Sequence, residues 1–399
     1  MGAAVIGAAP ETPAYILDEA VFRRRAAAVS AAFEGRIPLV YSIKANAFLL
    51  HALPEELRHV EVCSPGELAL CERLGVAPEK IIYSGVMKEA EDIARAIRYG
   101  ADILTAESPE HYRLICEQAA AAGITEDQPL RLLLRFTSGN QFGMSGEELC
   151  HIVKNRREHP ELALIGIHYY SGTQKKLRQI EKDLARLEAL LTSLREEAGF
   201  EAALVEYGPG LPADYFEGTD LGAAALAEEW EMGALRDAAA RLLPFAGKYP
   251  LSVELGRFLA SPCGEYHTAV RDIKRNDGTD YVILDGGIHQ LRYYGQTLSM
   301  QVPELHVLRN GCEAESPAER RPYCLCGSLC TVADVLVREA QLPTLAAGDE
   351  LVFGRCGAYS LTEGSALFLT RQLPAVYLRR ADGTLERKRA MTETCALNA

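Results

Sequence analysis

The chain has 399 residues, of which 48% are hydrophobic and 24% are charged, and its formal net charge is -13. This length and composition predict a large buried core and two domains. The negative charge argues against a nucleic acid or an anionic membrane surface as the main partner. Residues 1–10 have no basic flank and no apolar run approaches a membrane span, so we expect a cytoplasmic protein.

Eight short apolar runs alternate with helical patterns over the first two thirds of the chain. The runs cover 39–43, 60–63, 81–84, 102–105, 130–136, 164–170, 204–207 and 251–255. Segments with helical periodicity lie between them, among them 65–74, 89–99, 109–122, 146–157 and 175–198. This alternation predicts an α/β fold, a (β/α)8 TIM barrel, over residues 18–258.

After Arg257 the pattern changes to shorter strands separated by turns. Strand-like runs at 281–284, 335–338, 350–353 and 375–378 are separated by turn sequences at 276–278, 347–349 and 381–383. They predict a C-terminal all-β domain over 259–399. A strand-like segment at 12–17 precedes the barrel and a helix at 19–33, and we expect that strand to join the β-domain.

The cysteines indicate reduced thiols. Eleven is an odd number, and without a secretory signal it does not favour a disulfide framework. Cys324, Cys326 and Cys330 form a cluster, but they lack the paired CxxC spacing of a zinc site. We therefore expect no metal.

Unusual residues fall at the predicted ends of the barrel strands, where a barrel of this kind carries its active site. They are Lys44, Ser64, Ser84, Arg135, Tyr170, the segment 208–210, Glu254 and Arg257. Each alone has an ordinary explanation, such as a helix-capping serine or a lysine that reaches solvent. Their joint position at one mouth predicts a functional site.

The chemistry of these residues suits one cofactor. Val40, Ser42 and Lys44 share a strand face, so the ammonium points where an apolar group is expected. A lysine in an apolar setting has a lowered pKa and can attack an aldehyde as a neutral amine. Around it, Gly208, Gly210, Thr173 and Arg257 offer N–H groups, a hydroxyl and positive charge to a phosphate, and Glu254 can keep a pyridine nitrogen protonated. Together these residues predict a site for pyridoxal 5'-phosphate.

Several motifs, in order and across nearly the whole chain, resemble one family. They are the segments 41–46, 61–68, 166–174, 254–257, 327–330 and 356–359. They resemble the alanine-racemase-type, fold III enzymes that depend on pyridoxal phosphate, in the branch of diaminopimelate, ornithine and arginine decarboxylases.

The resemblance implies an α-decarboxylase and assigns roles. Lys44 forms the Schiff base, Glu254 contacts the pyridine nitrogen, Tyr170 takes the ring-stacking position, and Thr173, Gly208, Gly210, Arg257 and Tyr359 contact the phosphate, with Arg135 a further cofactor-binding candidate. It also implies a head-to-tail homodimer in which Cys330 enters the partner's site and returns a proton to Cα.

Departures from the family pattern bear on the substrate. Tyr170 stands where these decarboxylases usually have histidine, and Thr331 stands where decarboxylases of dibasic amino acids carry an acid for the distal ammonium. A free dibasic amino acid is therefore expected to be a poor substrate. Arg292, if it reaches the mouth, favours an acidic or acyl-linked group, whereas Asp285 is an alternative partner for an ammonium. The segment 285–292 is similar to less typical members, some of which act on aminoacyl groups held by a carrier protein.

Two alternatives stay open from the sequence. An amino-acid racemase on the same scaffold is disfavoured by Glu254, because alanine racemases usually place an arginine at the pyridine nitrogen. A non-catalytic module that binds the cofactor or a carrier protein is disfavoured by the β-domain with Cys330.

Overall fold

A computed structural model describes residues 5–6, 10–217, 224–314 and 320–397. Residues 1–4 and 7–9 of the segment from which we predicted the absence of a signal lie outside the described residues. The strands are β1 (Val5–Ile6), β2 (Ala14–Asp18), β3 (Leu39–Ser42), β4 (Leu57–Val62), β5 (Ile81–Tyr83), β6 (Ile103–Ala106), β7 (Leu130–Arg135), β8 (Leu162–Tyr170), β9 (Leu204–Gly208), β10 (Phe216–Glu217), β11 (Leu251–Leu255), β12 (Gly264–Asn276), β13 (Thr279–Leu284), β14 (Val302–Pro303), β15 (Leu305–Arg309), β16 (Cys312–Glu313), β17 (Arg321–Cys326), β18 (Val335–Leu342), β19 (Glu350–Phe353), β20 (Ala375–Arg379) and β21 (Leu385–Arg389). The α-helices are α1 (Glu19–Ala32), α2 (Pro65–Leu74), α3 (Ala90–Tyr99), α4 (Pro109–Ala121), α5 (Gly146–Lys154), α6 (Leu177–Ala198), α7 (Ala224–Ala246) and α8 (Arg257–Ala260).

Strands β3 to β9 and β11 close into a parallel barrel, with β11 pairing both β9 and β3. All eight apolar runs of the sequence are strands of this barrel, which confirms the predicted fold. Fully buried parallel strands read as short apolar runs because both of their faces are covered.

The barrel interior has an apolar layer and, nearer the carboxyl ends of the strands, a polar layer. The apolar layer is Val40, Ile82, Ile103 and Leu133, all fully buried in one cluster. The polar layer is Ser42, Glu61, His168, Glu206 and Glu254, all buried. On β3 the two layers are two residues apart, at Val40 and Ser42, because every second side chain of a strand points to the same face.

Helix caps account for one of the residues predicted at the mouth. The Ser64 side chain accepts a hydrogen bond from the backbone N–H of Glu67 at 3.1 Å, Pro65 opens α2, and Gly75 ends it in the left-handed conformation. Ser84 instead bonds to the hydroxyl of Thr105 at 3.1 Å inside the barrel. Both serines have structural roles.

The chain divides into two compact units. The barrel unit is Arg25–Pro212 with Glu231–Phe258, and the β unit comprises the described residues of Met1–Arg24, Ala213–Trp230 and Leu259–Ala399. The sequence placed all of 18–258 in the barrel, whereas 18–24 and the described residues of 213–230 group with the β unit. Strand β10 in that segment pairs with β14, a long-range contact that local patterns do not reveal.

The main sheet of the β unit runs in the order β1-β21-β20-β2-β12-β13-β17-β18, with β19, β15 and β16 attached through β12. Strand β2 lies between β20, its parallel neighbour, and β12, its antiparallel neighbour. Helix α7 was not predicted, since its apolar residues follow no clear stripe and it contains Pro244. None of the helices in the described part of the chain is long and apolar enough to cross a membrane.

Candidate active site

Lys44 lies just beyond the end of β3. The strand stops at Ser42, and a 3-10 turn over Ile43–Ala45 carries the lysine to the mouth of the barrel. Its Nζ is 2.9 Å from Glu61 Oε2 and 3.3 Å from Glu254 Oε1. The lysine side chain is 36% exposed, whereas those of the two glutamates are 3% and 4% exposed. The prediction of an apolar setting was wrong: two buried carboxylates face the amine.

Glu254 is held as a carboxylate at the end of β11. It accepts hydrogen bonds from Ser42 Oγ at 2.8 Å and from His168 Nε2 at 3.2 Å, in addition to its contact with Lys44. Burial alone would raise the pKa of Glu254, but the Lys44 charge and the His168 hydrogen bond together hold it well below its usual range. A buried, ionised carboxylate is the group needed beside a protonated pyridine nitrogen.

Glu61 and Cys63, on and just after β4, belong to the same cluster but were not among the predicted site residues. Glu61 contacts both Lys44 and the Ser42 hydroxyl. Cys63 Sγ lies 3.7 Å from Lys44 Nζ, and burial raises the pKa of its thiol well above the usual value. The sequence did carry a signal for Glu61, namely an acidic residue inside an apolar run next to a strand with a lysine.

Tyr170 ends β8 with its ring beside the amine. Its ring centroid is 5.7 Å from Lys44 Nζ and 5.6 Å from Lys175 Nζ. A Cβ on Gly208 would lie 2.5 Å from Tyr170 Cδ2, a distance that side chains do not tolerate. Gly208 is therefore the residue that leaves room for this ring.

The loops after β8 and β9 touch at Gly210. Its φ is 58°, and a Cβ there would lie 2.1 Å from the Gly172 carbonyl oxygen. The Lys175 N–H donates to the Gly210 carbonyl at 2.9 Å, and the half-buried Thr173 lies in the same stretch. Only glycine combines the left-handed conformation with this approach, and such backbone cradles suit phosphate.

Asp183 of α6 holds these loops in place through hydrogen bonds, and it was not predicted from the sequence as a site residue. It accepts hydrogen bonds from Lys175 Nζ at 2.7 Å, from Ser171 at 2.8 Å and from Tyr207 at 2.9 Å. Lys175 Nζ also donates to the Gly208 carbonyl at 3.0 Å. No local pattern distinguishes an acid in the middle of a helix from a solvated one.

The two predicted arginines of the barrel differ in their surroundings. Arg135, at the end of β7, is buried and pairs with Glu107 at 2.6 Å, with its guanidinium 5.0 Å from the Phe142 ring centroid. Both of these partners lie outside the Lys44 cluster. Arg257 is the first residue of α8, two residues beyond the end of β11, and is also buried.

Cys330 and Thr331 lie in the β unit, in the loop between β17 and β18. Asp334 shapes this loop by accepting from the N–H of Leu329 at 2.7 Å and from that of Ile288 at 2.9 Å. Cys330 is exposed, and Thr331 is half-buried with its hydroxyl accepting from a backbone N–H two residues on. The loop therefore has a fixed base and an accessible thiol.

The remaining predicted residues of the β unit have different environments. The two oxygens of Asp285 accept hydrogen bonds from Thr12, Thr268, Arg271 and the Ala269 N–H. The hydrogen-bonding capacity of this carboxylate is therefore used within the β unit. Arg292 is exposed and lines a cavity of about 270 Å³. Tyr359 has a φ of 65°, a strained conformation for a non-glycine residue that is typical of functional positions.

Two groups of described residues bring metal-ligating atoms within 4.8 Å of one another. One is Cys116, His159 and Glu161, and the other is Glu61, His168 and Glu254. In the second group the Lys44 ammonium already lies against both acids, which disfavours a cation there. The expectation of no metal stays a prediction.

The barrel site fits pyridoxal phosphate in its donor set. It joins an amine, a buried ionised carboxylate, an aromatic ring and a glycine-built loop contact, all within the barrel unit. A fold of this kind with this set of groups defines a pyridoxal-phosphate-dependent enzyme.

Comparison with known proteins gives the family. Residues 19–261 match the family model described as pyridoxal-dependent decarboxylase, pyridoxal binding domain. The chain therefore belongs to the pyridoxal-dependent decarboxylases and is an enzyme of that class, with pyridoxal phosphate as its cofactor. This finding rules against the racemase and the non-catalytic module.

Individual relatives cover nearly the whole chain. The L-glutamyl-[BtrI acyl-carrier protein] decarboxylase of Niallia circulans is 28% identical over 93% of this chain and 89% of its own length. The 2-[(L-alanin-3-ylcarbamoyl)methyl]-2-hydroxybutanedioate decarboxylase of Staphylococcus aureus is 25% identical over 91% of this chain and 93% of its own. The structure of Helicobacter pylori diaminopimelate decarboxylase, complexed with L-lysine, has a TM-score of 0.79 at 22% identity, over 97% of this chain and 96% of that one.

Proposed function

We propose that this enzyme removes the α-carboxyl group of an amino acid, or of an aminoacyl group on a carrier protein, whose distal end is neutral or acidic. The observation that carries the proposal is the position of Lys44 Nζ between Glu61 and Glu254 at the carboxyl end of the barrel. A cytoplasmic location stays a prediction from the sequence.

In the proposed mechanism the amine of Lys44 would hold the cofactor at its aldehyde group. Bound pyridoxal phosphate would supply an electron sink for decarboxylation at Cα. Glu254 would hold a proton at the pyridine nitrogen, and Tyr170 would contact the cofactor ring. The phosphate contacts would be Thr173, Gly210, Arg257 and Tyr359.

Cys330 of the partner subunit is proposed to return a proton to Cα in a homodimer with shared sites. Its thiol is exposed, and Val332 in the same loop is fully exposed. An apolar side chain left in water beside an accessible thiol suits a loop that another subunit covers.

The substrate class rests on three residues. Thr331 offers a hydroxyl where an acid would be needed for a distal ammonium, and Asp285 is engaged by its neighbours. Arg292 makes no ion pair within the part of the chain that the structure describes, so its guanidinium is available to a carboxylate or a phosphate. The relatives from Niallia circulans and Staphylococcus aureus, whose names give a carrier-bound glutamyl group and a hydroxybutanedioate as substrates, support an acidic or acyl-linked group.

The test combines cofactor trapping with a substrate panel. Borohydride should fix the cofactor on the peptide that contains Lys44, and Lys44→Ala should lose both the adduct and carbon dioxide release. The panel should set lysine, ornithine, arginine and diaminopimelate against glutamate, aspartate and carrier-linked aminoacyl groups. Efficient release from a free dibasic amino acid alone would refute the substrate class, and retained turnover in Lys44→Ala would refute the mechanism.

Subunit mixing tests the shared site. Inactive Lys44→Ala and inactive Cys330→Ala proteins, once exchanged, should recover up to about a quarter of the wild-type activity, because half of the dimers then carry one intact site of two. Exchange is verified by native mass spectrometry with one partner isotope-labelled. No recovery after full exchange would place Cys330 and Lys44 of the same chain in one site.

A further inference from the structure

Three buried polar side chains on neighbouring barrel strands have unmatched hydrogen-bonding atoms. Glu206 on β9 is in register with His168 on β8 and with Ser252 on β11. Their exposures are 0%, 1% and 3%. Among the described residues, both Glu206 oxygens, His168 Nδ1 and Ser252 Oγ have no hydrogen-bond partner. Since register neighbours in a parallel barrel point to the same face, these atoms share one interior region.

The surroundings of Glu206 disfavour an ionised carboxylate. A buried charge without a hydrogen-bond donor is among the costliest arrangements in a protein interior. The charged groups that act on it are Glu254 and Glu61, which are negative, and Lys44, which is positive and already contacts both of those acids. Burial first, and then the charges of Glu254 and Glu61, raise the pKa of Glu206 well above its usual value. Glu206 is then a neutral acid, which can donate a hydrogen bond.

His168 needs such a donor. A carboxylate only accepts, so the contact of His168 Nε2 with Glu254 Oε2 at 3.2 Å requires a proton on Nε2. In a neutral imidazole the other nitrogen, Nδ1, is then an acceptor, and it is one of the unmatched atoms.

We propose that Glu206 is a protonated acid that donates to His168 Nδ1 through a water shared with Ser252, and so fixes the tautomer in which His168 donates to Glu254. The hydrogen bonds then run in one direction, from Glu206 to His168 to Glu254. A buried water with this many polar partners is an ordinary feature of protein interiors. The assignment rests on the proposed function, since Glu254 is the residue given to the pyridine nitrogen.

In this arrangement Glu206 is a positioning residue. It does not touch the cofactor, and it acts by keeping His168 a donor, which keeps Glu254 ionised. An ionised Glu206 would instead favour a doubly protonated His168 and would add a third negative charge beside Lys44.

Infrared difference spectroscopy of the full chain without cofactor tests the protonation state. The spectrum of wild type minus Glu206→Gln at neutral pH should contain the carbonyl stretch of a protonated carboxylic acid. The matched control, Glu147→Gln on the exposed first turn of α5, should remove only a carboxylate band. A carboxylate band in the Glu206 difference would overturn the proposal, whether or not the enzyme is a decarboxylase.

The hydrogen-bond role is tested with the cofactor bound. Glu206→Gln keeps a donor and should retain kcat within about twofold, whereas Glu206→Met should lower kcat about tenfold, a loss typical of removing the hydrogen-bond partner of a functional histidine. Glu206→Met should also shift the pH titration of cofactor absorbance, which a purely packing role would leave in place. An unshifted titration overturns the proposal, and if Glu206→Met does not fold, the infrared result on Glu206→Gln decides alone.

Discussion

The apolar and polar layers of the barrel interior lie on the same strands, yet they are built from opposite chemistry. The apolar layer contains no side-chain polar atom, so its contribution is the removal of hydrocarbon from water. The polar layer places three glutamates in the interior near one ammonium. On β3 the two layers follow one another directly: Val40 belongs to the apolar layer, and Ser42, the next residue on the same strand face, belongs to the polar layer.

This difference shows that one strand can supply stability and chemistry at different depths. Buried ionisable groups are costly to stability even when paired, and such groups persist where function requires them. Mutations in the two layers should therefore affect different measurements, and the following experiments test that separation.

The largest effect is expected from Glu254→Gln. The substitution keeps the shape of the side chain but removes the charge that faces Lys44 and the pyridine nitrogen, so kcat should fall on the order of a thousandfold. Thermal denaturation should show little loss, because the partly exposed Lys44 keeps Glu61 as its partner and no cavity is created. The exposed Glu147→Gln is the control for both assays. A large loss of stability with normal turnover would reverse the roles of the two layers.

A somewhat smaller effect, on stability, is expected from Ile103→Ala in the apolar layer. The deleted atoms leave a cavity in a fully buried site, so the free energy of unfolding should drop by about 2–4 kcal/mol. Turnover per folded molecule should stay near wild type. Ile103→Val, which leaves a smaller cavity, should cost about 1 kcal/mol. If Ile103→Ala weakens cofactor binding as strongly as it weakens folding, the layers are coupled.

The smallest effect is expected from Gly208→Ala. The added Cβ would collide with the Tyr170 ring at 2.5 Å and push it aside, so the Kd for pyridoxal phosphate should rise about tenfold, or about 1.4 kcal/mol. When Tyr170 is already replaced by alanine, Gly208→Ala should cause no further loss of affinity for pyridoxal phosphate, because the ring with which the Cβ collides is absent. Gly66→Ala is a suitable control, since its nearest neighbour would be 3.8 Å away. Equal affinities for Gly208→Ala and Gly66→Ala would show that the ring adjusts freely.

Much of the barrel could be predicted from the sequence because its rules are local. A parallel strand covered on both faces is a short apolar run, and the helices between such runs carry their own start and stop signals, as Ser64, Pro65 and Gly75 do for α2. Lys44 and Glu254 were identifiable because a charge at the end of an apolar run is unusual. Their placement side by side agrees with that reasoning.

The partners of these residues could not be predicted, because they depend on register between strands. Glu61, His168 and Glu206 each lie within an apolar run, and whether they face inward follows from pairings such as Ser42 with Glu61 and His168 with Glu206. Asp183 lies on a helix and reaches its partners only through the fold. The assignment of β10 to the β unit likewise depends on its pairing with β14, from Glu217 with Val302 to Phe216 with Pro303, about 85 positions later in the chain.

The position of β2 has a consequence for the order in which the protein forms during translation. Every strand of the barrel is available once the segment up to residue 255 has emerged from the ribosome, so the barrel can fold while later strands of the β unit are being synthesised. Strand β2 precedes the barrel in the chain, yet its parallel partner β20 is formed by Ala375–Arg379. The sheet therefore closes around β2 only after β20 has been made, more than 350 residues later, and at least one edge of β2 stays unpaired until then.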